Sequence, residues 1–113
     1  MQANCLFCRI ASGDLPAGFV AENEHAVAFR DIDPKAPVHV LVIPRVHVES
    51  LATADDEALL GSLMSLAAQI ARDEGIADRG YRTVINTGRD GGQSVAHLHV
   101  HVLGGRQLSW PPG

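Results

Sequence analysis

From His97 to Val102 the chain alternates imidazole and aliphatic side chains, His97-Leu98-His99-Val100-His101-Val102. An extended strand sorts such a pattern cleanly, because side chains two residues apart share a face. His97, His99 and His101 then project to one side at intervals of roughly 6.5 to 7 Å. Leu98, Val100 and Val102 project to the other side, into a core. The chain must therefore build a sheet with an apolar face and must cover that face.

The cover is legible. Between about Ala54 and Glu74, Leu59, Leu63, Leu66 and Ile70 recur at steps of three and four, and Leu60, Met64 and Ala67 widen the stripe. Thr53 is the expected cap, Asp55, Asp56 and Glu57 suit the positive end of the helix dipole, and Gly75 suits the exit. A shorter helical turn is expected around Cys5 to Ser12. Strand signals fall at Phe19 to Glu22 and Ala26 to Arg30, a hairpin about Asn23-Glu24 with imperfect alternation, then at Val38 to Ile43 between two prolines. Arg82 to Asn86 and Val95 to Leu103 complete the set, joined by the turn Thr87-Gly88-Arg89-Asp90-Gly91-Gly92. These elements predict an α+β fold: an antiparallel sheet of about five strands with one long and one short helix. With 113 residues and no repeat or linker, the chain reads as a single domain over 1–113, its last segment 104–113 being a tail.

Charge narrows the partners. Thirteen acidic against nine basic residues leave a formal charge of −4, and no Lys/Arg stripe follows a phosphate backbone, so nucleic acid is not an expected partner. Met1 to Ile10 lacks the charge and apolar run of a signal peptide, and no apolar run reaches the ~18 residues of a membrane span. The expectation is a cytoplasmic protein without a membrane partner. In such a compartment Cys5 and Cys8, spaced C-x-x-C, suggest metal binding or redox chemistry more than a disulfide. A redox pair fits less well, since no strand signal precedes Cys5.

Three readings of the clustered histidines stand side by side: a polar face without a task, a three-histidine metal site, or an imidazole nucleophile flanked by supporting imidazoles. Phosphorus chemistry suits the last. Neutral imidazole, with an ordinary pKa of ~6.5, is abundant near pH 7 and attacks without prior deprotonation. His99, the central member, is the expected nucleophile. Gly91-Gly92-Gln93-Ser94 just upstream offers N–H groups for one phosphate, although it is no P-loop. His39, alone in an apolar strand, and Asp31, before Pro34, have ordinary structural explanations on residue grounds.

The segment Gly91 to Leu103 resembles the H-φ-H-φ-H-φ-φ signature of the histidine triad superfamily. Asp31-Ile32-Asp33-Pro34, Ala36-Pro37-Val38-His39, Val42-Ile43-Pro44-Arg45-Val46-His47 and the ending Trp110-Pro111-Pro112-Gly113 are similar to its histidine-triad nucleotide-binding, or purine nucleoside phosphoramidase, branch. The resemblance covers essentially the whole chain. It implies that His99 attacks an α-phosphorus, that His97, His101 and His39 organise the imidazole network, and that Ser94 binds phosphate or assists the leaving group. It implies further that Asn86, Gly92 and Gln93 hold phosphate oxygens and that Asp31 accepts hydrogen bonds from ribose hydroxyls. Leu6, Phe7, Ile10, Phe29 and Ile32 would line the base pocket, with Arg30 standing where close relatives often carry histidine.

The implied reaction is hydrolysis of a nucleoside 5′-monophosphoramidate, with AMP or GMP derivatives as partners. Relatives that transfer nucleotides carry glutamine where His101 stands, so a third histidine favours hydrolysis. Dinucleoside polyphosphate hydrolases share all three histidines but not the Trp-Pro-Pro-Gly ending. A nucleotide-binding adaptor with an idle triad, and a zinc hydrolase using the triad as ligands, are the other expectations to separate. Some members resemble this chain in a further respect, which implies a structural zinc on Cys5, Cys8, His47 and His97. The family also implies a homodimer that extends the sheet, with Trp110 of the tail near a neighbouring active site.

Overall fold

A computed structural model describes residues 2–113. In chain order the elements are α1 (Leu6–Ala11), β1 (Phe19–Glu22), β2 (Ala26–Arg30), β3 (Val38–Pro44), a 3₁₀ turn (Leu51–Thr53), α2 (Glu57–Asp73), β4 (Tyr81–Val84) and β5 (Val100–Gly104). The five strands form one antiparallel sheet in the order β1-β2-β3-β5-β4. This is the expected α+β architecture, with one long and one short helix. Among the described residues, no helix is long and apolar enough to cross a membrane.

The two faces of the sheet have different tasks. Ala26, Ala28, Val40, Val42, Val100 and Val102 meet Leu59, Leu63, Leu66 and Ile70 of α2 in the larger core. Their sequence neighbours Val27, Phe29, Leu41 and Ile43 point the other way and pack with Phe7 and Ile10 of α1 in a smaller cluster. Burial on both sides is why β2 and β3 read as nearly unbroken apolar runs instead of alternating ones. His39 and His101 occupy this second face, at the end α1 leaves open.

Local chemistry fixes the boundaries. Asn23 Oδ1 accepts from the N–H groups of His25 and Ala26 at 3.0 and 2.9 Å, closing the β1–β2 hairpin. A register shift between Phe19 and Ala21 explains the broken alternation of β1. The long helix starts later than its pattern suggests: Asp56, not Thr53, is the cap, accepting from Leu59 N–H at 3.1 Å. Thr53 is consumed in a capping box with Ser50 around the 3₁₀ turn. Gly75 leaves α2 with φ +74°, a conformation that costs glycine no Cβ clash.

The last strand is shorter than the expected Val95 to Leu103. β3 ends at Pro44, and Arg45 N–H turns away to His25 O at 2.9 Å. Ahead of Val100, Leu98 N–H instead takes Val48 O at 2.7 Å. His97 lies in a bend and His99 just ahead of β5, and only His101 lies within the strand. β4 likewise covers Tyr81–Val84, leaving Ile85 and Asn86 outside the ladder.

Candidate active site

Hydrogen bonds to backbone groups fix the protonated nitrogen of each central imidazole. His99 Nδ1 lies 2.7 Å from the carbonyl of His97. A carbonyl only accepts, so Nδ1 carries the proton and the lone pair of a neutral His99 is on Nε2. That is the tautomer a nucleophilic Nε2 needs. Phe7 holds the ring edge to face at 5.1 Å, and His99 is 4 % exposed.

A second chain begins at Lys35. Its backbone N–H donates to His39 Nδ1 at 3.0 Å, which leaves the His39 proton on Nε2. His39 Nε2 in turn lies 2.9 Å from His101 Nδ1, so His101 carries its proton on Nε2. Among the described residues that buried N–H has no partner. A buried orphan donor is costly and rare, and this one belongs to a residue lining the cavity that His99 also lines. Asp31 Oδ2 stands 3.4 Å from His39 Nε2, and Asp31 Oδ1 accepts from Asp33 N–H at 2.8 Å.

Burial, reinforced by His99 and His39 and opposed by Asp31, pushes the His101 pKa from 6.5 down to about 4. Burial also lowers His39. Both rings are neutral near pH 7, as the shared hydrogen bond requires. A base whose folded pKa is depressed contributes stability above its unfolded value and loses it as pH falls toward the folded one. Unfolding midpoints in urea are therefore expected to hold above pH 6.5 and to fall between 6.5 and about 4. The His101 share is on the order of 3 kcal/mol. His101→Gln should flatten that limb, and an unchanged limb would contradict the assignment.

An apolar cavity of about 490 Å³ opens beside these rings. Leu6, Phe7, Ile10, Phe29, Asp31, Ile32, Ser94, His99 and His101 line it, all anticipated from the sequence, together with Arg30. Arg30 itself is held by Glu74 through two bonds of 2.7 and 3.0 Å. Leu15, Pro16, Ala17, Leu41 and Val95 also line the cavity and were not anticipated. Leu41 was reachable, since it follows His39 by two on β3 and so shares its face. Leu15 to Ala17 carry no periodic signal. Asn86, Gly92, Gln93 and Trp110 are not in its wall; Trp110 is 80 % exposed in the tail.

The glycine turn is braced by its own donors. Gly92 N–H donates to Arg89 O and Gln93 N–H to Gly88 O, at 3.1 and 3.0 Å. The Gln93 amide donates to Glu49 O and Val95 O at 2.8 and 2.9 Å, while its oxygen accepts from Gly88 N–H at 3.0 Å. These donors brace the turn and are not free for phosphate. Gly91 is required because a Cβ there would collide with the Thr87 backbone. What the braced turn delivers to the cavity is Ser94, exposed at the rim.

His97 also differs from the expected network member. Its Nε2–H donates to Pro44 O at 3.0 Å, turning Nδ1 toward Cys5 Sγ at 3.3 Å and Cys8 Sγ at 3.6 Å. Cys8 Sγ is 3.3 Å from His47 Nδ1. His97 thus supports His99 through its carbonyl, while its ring serves a second cluster. The ligand atoms of Cys5, Cys8, His47 and His97 lie within 4.8 Å of one another, a set that could hold a metal. Bonds of ~2.3 Å to sulfur and ~2.0 to 2.1 Å to nitrogen in a tetrahedron put S and N roughly 3.6 Å apart, which these contacts match. Burial pushes the Cys8 thiol pKa up, so paired thiolates here call for a cation. Asp31, His39 and His101 form a second group of ligand-type atoms. There the tautomers oppose a metal: the lone pair of His39 faces Lys35 N–H, and that of His101 faces His39.

Comparison with known proteins agrees with this geometry. The family model described as HIT domain matches residues 12–108. An uncharacterized HIT-like protein of Synechococcus elongatus is 51% identical over 115 aligned residues, covering 100% of both chains. The crystal structure of a HIT family hydrolase from Legionella pneumophila superposes with a TM-score of 0.94 at 47% identity, covering 97% of this chain and 100% of that one. A zinc-bound histidine triad family protein from Mycobacterium smegmatis gives a TM-score of 0.81 at 32% identity, over 95% of this chain and 81% of that one.

Proposed function

This chain belongs to the HIT domain family, and from that premise we propose that it hydrolyses nucleoside 5′-monophosphoramidates, purine ones first, through a nucleotidyl-histidine intermediate. The observation that carries the reading is the tautomer of His99, whose Nδ1–H is taken by the His97 carbonyl. Nε2 attacks the α-phosphorus, the P–N bond breaks, and the amine leaves with a proton taken from solvent. Water then attacks the phosphorus, the P–Nε2 bond breaks, the water's proton returns to solvent, and the monophosphate departs with His99 restored to its starting tautomer. The unpartnered His101 Nε2–H hydrogen-bonds a phosphate oxygen as charge builds there. Ser94 serves the leaving group, Asp31 takes the ribose hydroxyls, and the apolar wall takes the base.

Adenosine 5′-phosphoramidate is the test substrate. Its turnover to AMP, with a nucleotidyl adduct mapped to His99 after a rapid denaturing quench, is the expected result. Nucleotide binding without turnover would leave an adaptor with an idle triad and sink the hydrolase reading.

A structural zinc on Cys5, Cys8, His47 and His97 belongs to the same proposal; it supplies folding energy and no step of the reaction. So does a homodimer. An edge strand recruits another strand, β4 is such an edge, and an indole that is 80 % exposed wants cover. Removing Ser109 to Gly113 is expected to change selectivity among leaving groups more than the rate for the smallest amine. A strictly monomeric protein at micromolar concentration would contradict the dimer.

A further inference from the structure

We propose that Arg106 is a positioning residue for His101, acting through the 31–37 loop and His39. That loop leaves β2, places Asp31 and Ile32 in the wall of the apolar cavity, and enters β3 at Val38, one residue before His39. Most of its hydrogen bonds are local. Asp31 N–H donates to His39 O at 3.0 Å, Asp33 N–H to Asp31 Oδ1 at 2.8 Å, and Lys35 Nζ to Asp33 O and Oδ2 at 2.8 and 2.7 Å. Among the described residues, the hydrogen bonds that reach residues 32–37 from outside 31–39 come from Arg106 alone.

Gly105, directly after β5, has φ +91°, and a Cβ there would stand 2.9 Å from Pro37 Cβ. Only glycine lets the backbone press this close to the loop. Arg106 then reaches back to Lys35, whose carbonyl accepts from Nε at 3.3 Å and from Nη2 at 2.9 Å, while Nη1 donates to Gln107 O at 3.1 Å. The N–H of the same Lys35 donates to His39 Nδ1 at 3.0 Å. Lys35 is exposed, so water competes for that N–H whenever the loop lifts. A His39 released from it can carry its proton on Nδ1 and accept at Nε2. The proton between His39 Nε2 and His101 Nδ1 then comes from His101, and the His101 Nε2–H is lost. Asp31 Oδ2, 3.4 Å from His39 Nε2, favours the present tautomer only from the limit of hydrogen-bond reach. Two charge-assisted bonds on one carbonyl are the stronger restraint. Every contact of this clamp lies within one protomer and needs no open surface, so a partner along β4 does not compete with it.

The consequence for rate rests on the proposed hydrolase function; the clamp itself does not. Its test is Arg106→Met, which keeps an apolar stem and removes the donors, read by imidazole ¹⁵N NMR and by kinetics near about pH 8, where the rings are neutral. In the parent, His39 Nδ1 should give the signal of an acceptor nitrogen and His101 Nε2 that of a protonated one. In Arg106→Met both signals are expected to move toward the average of the two types. Adenosine 5′-phosphoramidate turnover should lose about tenfold in kcat, less than deletion of the His101 ring would cost, with AMP affinity held within about twofold. Affinity holds because Asp31 stays tied to His39 O. Arg106→Lys, which keeps one donor in reach of Lys35 O, should recover most of both the signals and the rate. Unmoved ¹⁵N signals in Arg106→Met, or a loss that falls on AMP affinity with kcat unchanged, would overturn the clamp. So would a rate loss that follows a change in oligomeric state while the signals stay in place. The ¹⁵N readout needs no turnover, so a parent without phosphoramidase activity fails the hydrolase reading while the imidazole signals still decide the clamp.

Discussion

His99→Ala protein is expected to fold, to bind AMP with little loss, and to turn over adenosine 5′-phosphoramidate ~10⁴-fold or more slowly than the parent. That factor corresponds to about 5.4 kcal/mol of barrier. The attacking atom is gone, so covalent catalysis has no route. Binding should survive because its parts lie elsewhere: Asp31, the apolar wall and Ser94 line the cavity independently of the His99 ring. Folding should survive too, since among the described residues the only hydrogen bond of that ring is to the His97 carbonyl, which water entering the vacated volume can replace. Turnover and AMP binding measured on the same folded preparation decide the matter. Turnover within about tenfold of the parent would remove His99 from the nucleophile role. His101→Ala makes the contrast sharper. It deletes a donor to the phosphate rather than the nucleophile, so its loss should be nearer the ~10²- to 10³-fold range of one lost transition-state hydrogen bond.

Periodicity carried most of the fold. The stripe of α2 reports one buried face, whereas at His97 to Val102 the structure buries His97 and His99 as well as Leu98, Val100 and Val102. Boundaries were less legible because they depend on competition between neighbours. Thr53 and Asp56 are both competent caps, and the 3₁₀ turn after Ser50 decides between them. The same limit applied at the site. Residue types at His99, His101 and Asp31 indicated chemistry, but the direction of each lone pair depends on Lys35 N–H and the His97 carbonyl, groups that every sequence possesses. Gln93 shows the converse. Its composition suggested a phosphate donor, and only the carbonyls of Glu49 and Val95, far apart in the chain, reveal that its amide is spent.

Loss of the Cys5, Cys8, His47 and His97 cluster is expected to destabilise the protein before it silences the chemistry. Cys5 caps α1, its Sγ accepting from Cys8 N–H at 3.4 Å, and the cluster ties that six-residue helix to His47 and His97. So short a helix has little intrinsic stability, yet it supplies Phe7 and Ile10 to the second core. Zinc bound only by the folded arrangement adds its binding free energy to folding. A Cys5→Ser, Cys8→Ser variant should therefore contain far less than one zinc per chain and melt on the order of 10 °C lower. Chelator should lower the melting temperature of the parent and leave the variant unchanged. His47→Ala is the cleaner probe of separability, because His47 takes no part in the His39–His101 or His97–His99 contacts. It should lose zinc and stability while keeping turnover within about tenfold at a temperature where it remains folded. His97→Ala removes the ligand but keeps the backbone carbonyl that orients His99, so it should track His47→Ala in stability and fall further in rate only as far as the loosened segment lets His99 turn. Metal-free protein with an undiminished melting temperature would sink the zinc reading. A metal-free protein that melts lower yet still turns over substrate would separate the ion's structural role from the nucleophile two residues away.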